Sequence, residues 1–211
     1  MGVIRAGILS TVSGKVAGVV GGKWKDKSYL REWVRPANPN TTPQQVQRGK
    51  MSVGVAFAKA LTGQVFNKYT DKFERSMTGF NRFIKDNMAL FLSPITYASV
   101  KMTNGKLWGI PTASISCSAL TATISWTPSD LGNNGSATDM IYSVGYDETT
   151  GLWYFQTTEK ARSLGASAIH VPASAVGHTL AVYAWTAKYS STSPTLLEMI
   201  SNSLYLTVVV A

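Results

Sequence analysis

Cysteine is all but missing from this 211-residue chain, where Cys117 stands alone. An intrachain disulfide is therefore excluded, and Cys117, inside the alternating run "ASISCSALTATISW", reads as a small buried hydrophobe. Histidine is nearly as scarce. His170 and His178 are the only two, and with one cysteine they cannot complete a typical zinc set. Long apolar runs are absent as well; nothing approaches the roughly 20 residues of a membrane-spanning helix. The start, "MGVIRAGILSTVSGKVAG", is broken by Ser, Thr and Gly before a hydrophobic stretch builds up, so no secretion signal is read, and Ala6 stands where myristoylation wants Ser or Thr.

Catalytic patterns are missing too. "GVVGGKW" at 18–24 has glycines and a lysine, but Trp24 follows Lys23 where a phosphate-cradling loop needs Ser or Thr. Asp130, Asp139 and Asp147 lack calcium-loop spacing and read as exposed turn aspartates. No Ser-His-Asp or paired-carboxylate set emerges. The expectation is a protein that is not an enzyme, with no catalytic residue, no cofactor and no metal site.

Acidic residues are scarce in one half only. Residues 1–106 carry 17 Lys and Arg against 5 Asp and Glu, a balance of +12, whereas residues 107–211 carry 3 against 6, a balance of −3. A basic half seeks a polyanion or an acidic protein surface. An oligomer in which one subunit's basic half meets its neighbour's acidic half satisfies the same pattern.

What is present divides at about residue 111. In residues 13–34 apolar side chains recur with period two among several glycines, which predicts two strands joined at "KDKS" into a hairpin, with Leu30 on the face of Trp24 and Tyr29, Arg31 and Trp33 opposite. In "RPANPNTTPQQVQR", the prolines after Asn38 and Thr42 stiffen an extended connector, and Thr42-Pro43-Gln44-Gln45 reads as a capped helix entrance. Val46, Val53, Phe57, Leu61 and Val65 then form the core stripe of a helix ending near Phe66. Gly49 and Gly54 inside it point to close packing against another backbone. A second helix is predicted from about Glu74 to Leu92, with Phe80, Phe83, Ile84 and Phe91 inward and Asp86 and Asn87 opposite.

From Thr112 the period changes to two, with seven short strands between turns and Trp126 and Trp185 as core aromatics. The fold class is thus α+β: an N-terminal β-hairpin plus two helices over 1–111, then an immunoglobulin-like antiparallel β-sandwich over 112–211. The candidate interaction surface, for assembly or a polyanion, comprises Lys15, Lys23, Trp24, Lys25, Lys27, Tyr29, Arg31, Arg35 and Arg48. Lysines 23, 25 and 27, continued by Tyr29 and Arg31, share one strand face by parity, and could track a phosphate backbone with a ring stacked on a base. A lysine row also keeps an edge strand from pairing with strangers.

Gly14-Lys15-Val16, Gly22, Trp24-Lys25, Tyr29, Arg31, Asn38-Pro39, Thr41, Gln44 and Arg48 together resemble the N-terminal signature of an uncharacterised family of Bacteroidota and their phages, classed as a domain of unknown function. Asp26 replaces the glycine usual after Trp-Lys. Asp139, Tyr146, Arg162, Tyr183, Ser203 and Tyr205 are similar to that family's C-terminal half. Similar Asn-Pro stretches occur in phage structural proteins, so the resemblance implies a virion component (capsid, decoration, connector or tail), assembled in the host cytoplasm, whose partners are other virion proteins or further copies of itself. The alternative is a nucleic-acid-binding protein using the basic hairpin. No membrane contact is expected.

Overall fold

The computed structural model describes residues 14–24, 27–35, 37–73, 77–91, 94–193 and 195–211, and at positions 16, 23, 24, 27 and 28 the main chain alone. The chain divides into two compact units, Met1–Thr42 and Pro43–Ala211.

In the first unit three strands, β1 (Gly14–Val16), β2 (Val19–Trp24) and β3 (Lys27–Glu32), form an antiparallel sheet in chain order. Two strands were expected; the first breaks because the chain reverses at Ala17–Gly18, where Ala17 takes a left-handed φ of 51°. Tyr29 lies opposite Gly22, and its ring covers the glycine so closely that a Cβ there would stand 2.8 Å from the phenol oxygen. Among the described side chains of these strands only Gly21 is buried. Among the described residues a sheet this small shows no hydrophobic core of its own.

The second unit has three layers. Helix α1 (Thr42–Lys59) starts where the Thr-Pro signal places it. Its first three turns are exposed, Val46 and Val53 included, and only Gly54, Phe57 and Ala58 are buried. The expected core stripe therefore begins at Phe57 rather than Val46. Nor does α1 reach Phe66: after Leu61 a π-helix, Thr62–Thr70, takes over, with Phe66 N–H donating to Leu61 O at 3.2 Å and Asp71 N–H to Phe66 O at 2.9 Å. The wider turn keeps Val65, Phe66 and Tyr69 all buried. Helix α2 spans Gly79–Asn87, capped by Thr78, whose hydroxyl accepts from Asn81 N–H at 3.3 Å. Asn87, expected on the solvent side, is fully buried. It donates to Phe83 O at 2.9 Å and Lys101 O at 3.0 Å and accepts from Lys101 N–H at 2.8 Å, tying α2 to the following crossover.

Nine strands follow where seven were expected: β4 (Ser114–Ser118), β5 (Thr121–Ser125), β6 (Met140–Asp147), β7 (Trp153–Phe155), β8 (Lys160–Ala161), β9 (Ala166–His170), β10 (Thr179–Tyr189), β11 (Leu197–Ile200) and β12 (Leu204–Val209). The additional ones are β8, too short to show a period, and β11. In the six-stranded sheet β10 pairs with β6 along one edge and with β12 and β11 along the other, while β7 and β8 pair with β6. In the other sheet the order is β4-β5-β9.

Strand β10 is buried on both faces, hence its nearly unbroken apolar sequence. Ala181, Tyr183, Trp185 and Ala187 join the helices in one core with Phe57, Phe66, Tyr69 and Phe83. Leu180, Val182 and Ala184 join the small sheet in another, with Ile124, Trp126 and Ile169. Trp126 and Trp185 are thus both core residues, but of different cores. Trp153 fastens the helical layer: its indole N–H donates to Phe57 O at 2.9 Å, satisfying a carbonyl in the last turn of α1. The architecture is a mixed α+β fold with a sandwich-like antiparallel part. Among the described residues no helix is long and apolar enough to cross a membrane.

Candidate interaction surfaces

The register of the small sheet decides which candidate residues meet. Lys15 opposes Val20, Val20 opposes Arg31, and Gly22 opposes Tyr29, so Lys15, Tyr29 and Arg31 share one face. Trp33 continues that parity, and the Lys15 ammonium sits 3.5 Å from the centre of its ring, a cation–π contact. Tyr29, Arg31, Trp33 and Arg35 are all exposed. The face is basic and aromatic.

Its membership differs from the expectation in two respects. Trp24 pairs with Lys27 and Lys23 with Ser28, so position 24 falls on the face of Tyr29 and Arg31, not of Leu30. By the same register positions 23 and 27 fall on opposite faces. Parity counted straight through a turn is not preserved, so lysines 23, 25 and 27 do not make one row. Lys25 itself lies outside the described residues, and Arg48 stands exposed on α1.

Elsewhere the polar groups serve the fold. Asp139 and Asp147 are buried, contrary to their reading as exposed turn aspartates. Asp147 accepts from Thr149 N–H at 2.8 Å and Thr150 N–H at 3.1 Å, an Asx turn, and meets His178 Nδ1 at 2.8 Å. Burial alone would raise its pKa, but the hydrogen bonds from His178, Thr150 and the two amides outweigh that and hold it below the ordinary value. His170 is exposed, with Nδ1 3.1 Å from the Thr121 hydroxyl. Among the described residues no group of three or more His, Cys, Asp or Glu could hold a metal.

Arg162 is fully buried. Its guanidinium donates to Asp130 O at 2.5 Å, Trp108 O at 2.6 Å, Gly109 O at 3.0 Å and the Thr186 hydroxyl at 3.1 Å, clamping two loops to β10.

One open groove of about 740 Å³ lies at the end of the large sheet, where β6 begins and β10 runs out, with Asp139, Glu159, Lys188, Ser191 and Glu198 in its walls. Glu159 Oε1 accepts from the hydroxyls of Tyr69 and Tyr189, the latter at 2.6 Å, and meets Lys68 Nζ at 3.0 Å. Burial, reinforced by the Glu159 carboxylate, pushes both phenols well above the ordinary tyrosine value, so they stay neutral donors. Sequence reasoning missed this cluster, whose members lie far apart in the chain.

Comparison with curated proteins and with solved structures returns no match. A family model does match, over residues 11–207, and its description is a family of unknown function, DUF6266. That span takes in the small sheet, the helices and both further sheets, in accord with the resemblance to an uncharacterised family, and the chain belongs to DUF6266.

Proposed function

We propose that this protein is a non-enzymatic, phage-type structural subunit (capsid, decoration, connector or tail component) that assembles through its basic N-terminal half, with partners drawn from other virion proteins or its own copies. One observation carries the reading. Among its described residues the sheet β1–β3 buries only Gly21, while Tyr29 and Leu30 on it and Trp33 and Val34 just after it are exposed, and residues 1–42 hold seven Lys and Arg against two acids, a balance of +5. A basic and aromatic sheet that exposes these side chains is stabilised by covering it, and aromatic and arginine side chains are the usual anchors of protein interfaces. In the second unit the first turns of α1 also expose apolar side chains, Val46, Met51 and Val53. The packed antiparallel sheets support an immunoglobulin-like reading of the C-terminal half, and the N-terminal motifs support an origin in Bacteroidota or their phages.

The test is the mass of the purified full-length protein by light scattering, across concentration and at about 0.1 M and about 1 M salt, between which the Debye length falls from about 10 Å to about 3 Å. Oligomers that shrink at high salt are expected; a monomer under every condition sinks the proposal. The second reading, nucleic-acid binding, rests on Lys15, Tyr29, Arg31 and Trp33 sharing one face. It predicts steeply salt-dependent binding of DNA or RNA oligonucleotides that disappears in Arg31→Ala.

A further inference from the structure

We infer that the groove at the end of the large sheet is the seat for the basic N-terminal sheet of a second copy of this chain, so that copies join head to tail. The inference rests on the assembly reading above and names its receiving surface.

Three observations carry it. Of the six acidic residues in 107–211, Asp139, Glu159 and Glu198 meet in this one groove, with Lys188 in its walls and Lys68 ion-paired to Glu159. Folding has brought together what the sequence spreads over sixty positions. Secondly, Asp139 keeps Oδ1 buried without a hydrogen-bond partner, whereas Glu159 already accepts from Tyr69, Tyr189 and Lys68 on Oε1. Unpaired carboxylate oxygens call for ammonium or guanidinium groups. Finally, the chain itself supplies these in residues 1–42, whose balance is +5, and where Arg31 and Arg35 are exposed. The sheet and the groove are built from different residues, which makes the contact heterologous and open to propagation along a filament, or to closure as a ring.

The experiment is a charge exchange in the full-length protein. Glu198→Lys alone and Arg31→Glu alone are each expected to weaken self-association at about 0.1 M salt by at least about tenfold. A mixture of the two is expected to restore it, because each variant then offers what the other lacks. Folding is checked by thermal melting. Should Glu198→Lys fail to melt as the wild type does, Ser191→Lys adds the same charge from another part of the groove. Loss of assembly in Arg31→Glu, with Glu198→Lys and Ser191→Lys assembling normally, overturns the groove while leaving the assembly reading intact. No rescue in the mixture also overturns it. A wild-type protein that never associates overturns both.

Discussion

Arg162 Nη2 lies 3.1 Å from the hydroxyl of Thr186 on β10, and the same guanidinium holds the carbonyls of Trp108, Gly109 and Asp130. Burial lowers the arginine's pKa, while the charges of Asp139 and Asp130 favour the protonated form. The clamp makes the loops at 108–109 and 130 dependent on one side chain. Arg162→Ala leaves those acceptors without donors, and a loss of about 3–5 kcal/mol in urea unfolding is expected. Arg162→Lys recovers less than half of it, since an ammonium lacks the planar fork that reaches the separate oxygens. A loss below about 1 kcal/mol for the alanine variant would show that the clamp is not structural.

Two glycines of α1 have opposite sensitivities. Around Gly49 there is open space, whereas a Cβ at Gly54 would stand 2.5 Å from the Phe91 ring. Gly49 is therefore not explained by close packing, and Gly54 packs against a side chain rather than a backbone. Gly49→Ala is expected to stabilise by about 0.5–1 kcal/mol through helix propensity, and Gly54→Ala to destabilise by about 1–3 kcal/mol through overpacking. Melting temperatures of the two variants moving in the same direction would contradict this.

Acid stability should depend on Asp147. Its folded-state pKa is held below the ordinary carboxylate value, chiefly by His178 and the turn donors working against burial. The ionised carboxylate thus contributes stability that is fully present above the unfolded value of about 3.9 and is lost as pH falls through the lower folded value. Wild type should exceed Asp147→Asn in stability at pH 7, with the gap closing on acidification below about pH 4. A gap that stays constant across that range would refute the assignment.

Local signals in the sequence translated well. The Thr42-Pro43 entrance opens α1 where capping chemistry places it, because a cap is decided within four residues. The stripe from Val46 onward shows which face of the helix can be buried, but whether anything covers that face depends on the rest of the fold, and Val46 and Val53 are exposed among the described residues. Asn87 was misread onto the solvent side: its burial depends on a main-chain partner, Lys101, that lies in the following crossover. Arg162 was not legible, since its acceptors are carbonyls of loops up to 54 positions away. The same holds for the groove, whose carboxylates come from three separate segments. The face assignment of the N-terminal lysines failed because strand parity cannot be counted across a reversal.

Strand β10 keeps its register in an unusual way. In a sheet wet on one side, a slip by one residue turns polar groups inward, and polarity forbids it. Here both faces are dry, and a slip would exchange one set of hydrophobes for another. What forbids it is size: Tyr183 and Trp185 would turn toward a space filled by Val182 and Ala184, leaving small side chains beneath the helices. The strand's alignment is written in the alternation of large and small, a code of volume where most strands use one of water-liking and water-avoiding.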